Sequence, residues 1–257
     1  MTRVVKIGGR PQSDAGMPAA IAAAWRSSPG ALCLVHGGGD EVTAIQRQLG
    51  VEPTFVHGRR VTSEADVDIV RMTLSGTINK RLVAQLIGQG VLAVGLSGED
   101  AGLLEAELLD ASRFGRVGIP VRVNAGLLHL LLDAGYLPVL SPLARETPRR
   151  GVAAGAAVNV NGDDAAAAVA AALEATELLL ISDVPGVRSG GELLSSLDAD
   201  EAAAMIAAGA ATGGMAAKLE AALRALSLGV SRVRIGDLDT LASRNSGTEL
   251  TLSRSLV

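Results

Sequence analysis

Short apolar runs, each closed by a glycine-bearing turn and followed by a helical stretch, recur along the chain and constrain its fold more than any other feature. Residues 3–7 (RVVKI) end at Gly8-Gly9, and a helical pattern follows over 16–27. Residues 32–35 end at His36-Gly37-Gly38-Gly39, with a helix predicted over 40–48. Residues 91–96 end at Ser97-Gly98, and residues 177–181 run into Ser182-Asp183-Val184-Pro185-Gly186. The last run is apolar from Leu178 to Ile181, the pattern of a strand covered on both faces. Strand, glycine turn and helix in repetition predict an α/β protein with a mostly parallel sheet and helices on both faces.

The remaining pattern fills in this outline. Thr62-Ser63-Glu64 reads as a helix start with acidic residues in the first turn, and the helix should run to about residue 88. One face of it carries Val67, Val70, Leu74, Ile78 and Leu82. That stripe suits either a dimer surface or packing within the chain. Residues 104–123 are less regular and predict hairpins. Asn124 is expected to cap a helix through 134, followed by a strand over 136–141. Asp163 or Asp164 should open an alanine-rich helix over 165–175. Helices are predicted over 200–208 and 215–228, and a late strand over 231–235. A soft boundary at 165–176 divides a larger N-terminal lobe (1–170) from a smaller C-terminal one (171–257).

Composition excludes several classes of function. Of the 257 residues 48% are hydrophobic, ample for a core and too apolar for disorder. A formal charge of −4 gives no basic surface for nucleic acid or an anionic membrane. The aromatic residues are Trp25, Phe55, Phe114 and Tyr136 alone, too few for base-stacking platforms. One cysteine, Cys33, cannot form an intramolecular disulfide, which points to a reducing cytoplasm. With so few Cys and His, a Cys/His zinc site is not expected. The apolar run 165–173 is broken by Glu174 and Glu177, well short of the roughly 20 residues a membrane span needs. Twenty basic positions are arginine and only three, Lys6, Lys80 and Lys218, are lysine. A compact ammonium retained against such a bias marks a position where a planar fork will not serve.

Ligands of open α/β sheets lie beyond the carboxyl ends of the strands, where the glycine turns fall. Glycine lets main-chain N–H groups approach an anion, and the following helix adds its N-terminal dipole. Lys6-x-Gly8-Gly9 together with His36-Gly37-Gly38-Gly39 therefore suggests an anionic group held between two turns. There is no G-x-x-x-x-G-K-[ST], no G-x-G-x-x-G after the first strand, and none of the protein-kinase motifs.

The turns carry a family resemblance. Val5-Lys6-Ile7-Gly8-Gly9, Val35-His36-Gly37-Gly38-Gly39, Gly58-Arg59-Arg60-Val61-Thr62, Gly95-Leu96-Ser97-Gly98, Asn159-Val160-Asn161-Gly162-Asp163, Ser182-Asp183-Val184-Pro185-Gly186-Val187 and Gly213-Gly214-Met215-Ala216-Ala217-Lys218 resemble, in order and spacing, the motifs of the amino-acid kinase superfamily, and within it the N-acetylglutamate kinase family. The resemblance covers essentially the whole chain. It implies a three-layer αβα sandwich in two lobes, with the amino acid and the dimer contact assigned to 1–170 and ATP to 171–257.

It also implies transfer of the γ-phosphoryl of ATP to the side-chain carboxylate of N-acetyl-L-glutamate, an early step of arginine biosynthesis. Lys6 and Lys218 would flank the transferred group, Asp163 would orient both, and the Gly9 and Gly38 N–H groups would add donors. Gly38, Gly39, Arg60 and Asn159 would hold the amino acid. Asp183, Val184, Pro185, Gly186, Val187 and Arg188, with Ala210, Ala211 and Thr212, would form the nucleotide pocket. Mg²⁺ would be bound through the nucleotide phosphates, with no metal ligand from the protein. Lys80 is expected at a solvated helix end and Arg59 on the surface. His36 is read as a structural histidine, His57 and His129 as surface or packing residues, and Cys33 as inert core.

Two departures modify the expectation. Residues 144–158 lack the Gly-x-x-x-x-Gly hairpin usual in the family. The arginine-feedback members carry an additional N-terminal helix and a C-terminal signature, neither of which is seen here, so a homodimer insensitive to arginine is expected. A sibling kinase acting on carrier-protein-bound aminoadipate in lysine synthesis, and a catalytically silent sensor of the same fold, remain as alternatives.

Overall fold

The computed structural model describes residues 2–56, 58–147, 155–243 and 245–252. The chain opens with strand β1 (Arg3–Ile7), helix α1 (Met17–Ser27), strand β2 (Leu32–His36) and helix α2 (Gly39–Gln48). A small hairpin, β3 (Phe55–Val56) and β4 (Arg59–Arg60), leads into helix α3 (Glu64–Arg71). Ser63 caps α3 in a reciprocal box, its side chain accepting from the Asp66 N–H while the Asp66 carboxylate takes the Ser63 N–H at 3.0 Å.

The predicted helix over 64–88 is present as one rod with a widened middle. A π-helical segment, Met72–Ile78, separates α3 from helix α4 (Asn79–Gly88). Its apolar stripe is spent inside the chain: Val67, Val70, Leu74, Ile78 and Leu82 all lie in the core. Lys80 is in the first turn of α4, where its Nζ donates to Gly95 O at 3.0 Å and Asn79 Oδ1 at 3.1 Å. It is solvent-exposed, as expected, but stands in the middle of the rod where the π-helical segment meets α4, and ties the rod to β5.

Strand β5 (Ala93–Ser97) is followed by β6 (Leu104–Leu108), the short helix α5 (Ala111–Phe114) and β7 (Val117–Val123). Helix α6 (Ala125–Asp133) comes next; Asn124 precedes it but donates to Ala101 O at 3.2 Å, with no side-chain cap. Strands β8 (Leu137–Ser141), β9 (Leu143–Glu146) and β10 (Ala157–Val160) follow. β9 and β10 pair antiparallel across the stretch that departs from the family pattern, although 148–154 lie outside the described residues. The hairpin expected over 104–123 forms as β6–β7, and it closes with β9 and β10 into a small barrel that the strand pattern had not revealed.

Helix α7 (Gly162–Ala172) is capped by Asn161, whose Oδ1 accepts the Asp163 N–H at 2.8 Å. Neither aspartate is the cap; both belong to the first turn, with their carboxylates available for other partners. Strand β11 (Glu177–Ile181) is buried along its whole length, as its apolar run requires. A short hairpin, β12 (Arg188–Ser189) and β13 (Glu192–Leu193), precedes β14 (Ser196–Asp198). Helices α8 (Ala199–Ala207) and α9 (Gly213–Ser227), strand β15 (Val233–Gly236), helix α10 (Asp239–Ala242) and strand β16 (Thr248–Thr251) complete the chain.

Eight strands form one sheet in the order β14-β16-β15-β11-β1-β2-β8-β5, parallel throughout except for β15 against β16. Helices α1, α4 and α10 pack on one face, and α7, α9 and α8 on the other, giving the three expected layers. The sheet passes without a break from the first half of the chain to the second, because β1 pairs with β2 on one side and β11 on the other. Ile7 is in register with both His36 and Ile181, so the three turns after these strands leave the sheet side by side. This is where strand order reverses around β1, and it is where a doubly wound sheet opens a crevice.

Candidate active site

Lys6 lies one residue from the end of β1, Asp163 in the first turn of α7 and Lys218 in the second turn of α9. Strand alternation turns Lys6 toward the α7 layer, and the absence of a side chain at Gly162 lets it in: a Cβ there would stand 3.1 Å from Lys6 Cε. Lys6 Nζ lies 2.8 Å from Asp163 Oδ1, and Lys218 Nζ lies 3.1 Å from Asp163 Oδ2. All three side chains are buried. Two ammonium groups share one carboxylate, so the trio carries an uncompensated positive charge.

The titration behaviour follows from that arrangement. Burial alone would raise the Asp163 carboxyl, but the two ammonium groups overcome it and bring it down to about 2. Burial pushes Lys6 down to about 8, with the like charge of Lys218 adding to the effect and Asp163 opposing it. His36, on β2 beside them, is pushed down to about 4 by burial. Its ring sits 2.9 Å from Gly37 O through Nδ1 and 3.1 Å from Asn79 Nδ2 through Nε2, a neutral histidine with both nitrogens satisfied. Cys33, buried in β2, is pushed up to about 12 by burial, and no thiolate chemistry is open to it. His129 is exposed, and His57 lies outside the described residues.

Two cavities meet at the trio. The smaller, about 210 Å³, is lined by Gly38, Gly39, Phe55, Arg59, Arg60 and Asn159 among others. The larger, about 600 Å³, is lined by Gly8, Arg10, Asp183, Val184, Gly214, Met215 and Lys218 among others. Lys6, Gly9, Gly39 and Asp163 border both. The Gly38 turn reaches this place because it is seated on the π-helical segment: a Cβ at Gly38, where φ is +155°, would stand 2.1 Å from Ile78 Cδ1 and 2.9 Å from Leu74 Cδ2.

Arg60 reaches the smaller cavity from β4, stacked 4.7 Å over the Phe55 ring. Its guanidinium already donates to Gly39 O and Thr43 Oγ1, each at 2.7 Å, and to Gln46 Oε1. Arg60 thus ties β4 to successive turns of α2 as well as facing the cavity. Asn159 on β10 donates to Thr62 Oγ1 at 2.9 Å.

The expected nucleotide residues divide. Asp183 and Val184 line the larger cavity, whereas Pro185, Gly186, Val187, Arg188, Ala210, Ala211 and Thr212 are not part of its lining. Val187 is buried with its N–H on Thr248 Oγ1 at 2.8 Å, and Arg188 turns outward to Gly191 O.

Sequence reasoning did not single out Arg10, Asp40 and Met215, which line the larger cavity, and it misplaced Arg59. Arg10 bridges the turns after β1 and β11 by pairing with Asp183 at 2.6 Å, which its place next to Gly8-Gly9 could have signalled. Arg59, expected on the surface, is largely buried and pairs with Asp164 at 2.7 Å. Among the described residues no helix is long and apolar enough to cross a membrane, and no cluster of His, Cys, Asp or Glu is placed to hold a metal ion.

The geometry has clear relatives. An acetylglutamate kinase of Chloroflexus aurantiacus is 43% identical over 250 residues, spanning 96% of each chain. The structure of a Streptococcus mutans protein superposes with a TM-score of 0.86 at 29% identity, covering 97% of this chain and 98% of that one. That of the N-acetylglutamate synthase from Neisseria gonorrhoeae, solved with coenzyme A and N-acetylglutamate, superposes at 0.80 with 27% identity, over 99% of this chain and 60% of that one. The family model described as the amino acid kinase family matches residues 1–237, and the chain belongs to that family.

Proposed function

We propose that the chain transfers the γ-phosphoryl group of ATP to the side-chain carboxylate of N-acetyl-L-glutamate, giving an acyl phosphate. The observation that carries this reading is the Lys6–Asp163–Lys218 trio at the seam of two cavities. A buried excess of positive charge facing glycine turns suits a polyphosphate, so the residues present fit ATP. ATP as its Mg²⁺ complex would supply the phosphoryl group, a P–O bond to the carboxylate forming as the β–γ bridging bond breaks. Mg²⁺ would ride on the phosphates.

The chain's own residues then have defined tasks. An ionised carboxylate needs no general base, and His36, neutral and fully bonded, is not asked to be one. Lys6 and Lys218, approaching from β1 and α9, would neutralise the charge that spreads over the transferred group. Asp163 would hold both ammonium groups in place and oppose the loss of the Lys6 proton. The N–H groups of Gly9 and Gly38 would add donors whose positions are set by the fold. Gly38, Gly39, Arg60 and Asn159 would enclose the amino acid in the smaller cavity. Asp183 and Val184 would border the nucleotide in the larger one, with 185–188 and 210–212 around it. In this reading 1–170 serve the amino acid and 171–257 serve ATP.

Hydroxylamine trapping tests the proposal. Pure protein with ATP and Mg²⁺ is offered N-acetylglutamate, glutamate, aspartate, and aminoadipate free or carrier-linked. Hydroxamate with acetylglutamate alone is the expected result. Hydroxamate only with carrier-linked aminoadipate, or none at all, contradicts it. We also propose that the enzyme works in the cytoplasm as a homodimer, with exposed Met72 and Ile87 on the long helical rod available for contact. Sedimentation equilibrium of the same sample should give twice the 26.0 kDa chain mass, and a single-chain mass contradicts the dimer.

A further inference from the structure

Arg59 and Arg60 are neighbours on β4, and the alternation of an extended strand sends their guanidinium groups opposite ways. Arg60 reaches back to α2. Arg59 reaches the helices on the other side: Nη1 bonds Asp164 Oδ2 at 2.7 Å, and Nη2 lies 3.8 Å from Glu220 Oε2 on α9. The Arg59 side chain is 12% exposed and that of Asp164 2%. Asp164 Oδ1 accepts no hydrogen bond and faces Arg224 Nε at 3.9 Å, so Arg59 is the close partner of a buried carboxylate. The main chain follows the same path, since a Cβ at Gly58 would stand 3.6 Å from Gly213 O at the start of α9.

The targets of this contact are not arbitrary. Asp164 follows Asp163 on α7, and α9 carries Lys218. The hairpin β3–β4, which carries Phe55, Arg59 and Arg60 to the wall of the smaller cavity, is therefore tied to the two helices that supply two members of the trio.

We propose that Arg59 is a positioning residue for phosphoryl transfer, fastening the hairpin to α7 and α9 so that the amino-acid cavity closes in register with Lys218 and Asp163. This inference rests on the phosphoryl-transfer reading for its kinetic consequence, and on geometry alone for the tie itself. Removing Arg59 leaves Asp164 buried without a close partner, a state relieved by movement of the hairpin or entry of water.

The test is Arg59→Leu in the full chain, with steady-state kinetics for both substrates and amide hydrogen exchange across 53–61. The KM for acetylglutamate should rise at least about tenfold and kcat fall about 10- to 100-fold, with the KM for ATP within about twofold. Hairpin amides should exchange faster. Arg59→Lys should restore part of the loss. In Arg59→Leu/Asp164→Asn the stranded carboxylate is gone, so stability should return while the kinetic defect stays; this variant also serves if the single one does not fold. Wild-type kinetics in the double variant would reduce Arg59 to a structural role and overturn the proposal, as would unchanged hairpin exchange. Absence of acetylglutamate activity in the unaltered chain overturns the activity reading instead, and the exchange measurement still decides the tie.

Discussion

Lys6 is held near the edge of its charged range. With its folded pKa brought to about 8 by burial, it should lose its proton at a lower pH than an unfolded lysine would. The unfolded chain binds more protons between about 8 and the ordinary lysine range, so this group makes stability rise with pH across that window. Activity should move the opposite way, because neutral Lys6 no longer offsets charge on the transferred group. We predict that kcat/KM falls as pH rises through about 8 while the protein stays folded. A flat profile to about pH 10 would detach Lys6 from the rate. Asp163, at about 2, stays ionised throughout. The lysines were legible in the sequence because arginine fills nearly every other basic position. Arg59 was not: adjacent arginines look alike on paper, and only the pleat of β4 and the capping of α7 by Asn161 turn one of them toward Asp164.

The rod formed by α3, the π-helical segment and α4 shows what periodicity can and cannot convey. Its apolar stripe fixed its length and its buried face, but an i, i+3, i+4 pattern does not reveal a widened turn. Within that turn Thr73 Oγ1 bonds Ile69 O at 2.8 Å, and the Ser75 and Ser141 hydroxyls are 2.7 Å apart. Its side chains Leu74 and Ile78 form the seat of the Gly38 turn. Gly38→Ala should therefore cost about 1–3 kcal/mol, through overpacking and an unfavourable φ, and raise the KM for acetylglutamate more than that for ATP. Urea denaturation and initial rates check both; a variant with native stability and KM would mean the turn does not depend on this seat.

At the scale of the whole molecule, sheet and layers were legible because the strands are marked by glycine at their carboxyl ends. The β6-β7-β9-β10 barrel was not, since its pairing joins residues far apart in the chain. The site depends on both levels. β1 between β2 and β11 brings three turns to one edge, and α7 and α9 bring Asp163 and Lys218 down onto Lys6. The most direct measurement is kcat of Lys218→Ala, with circular dichroism to establish that the variant is folded. The account predicts a loss of at least about a hundredfold, because a charge aimed at the developing anion is gone. A folded variant turning over at a near-normal rate would contradict the convergence of two ammonium groups on the transferred phosphoryl.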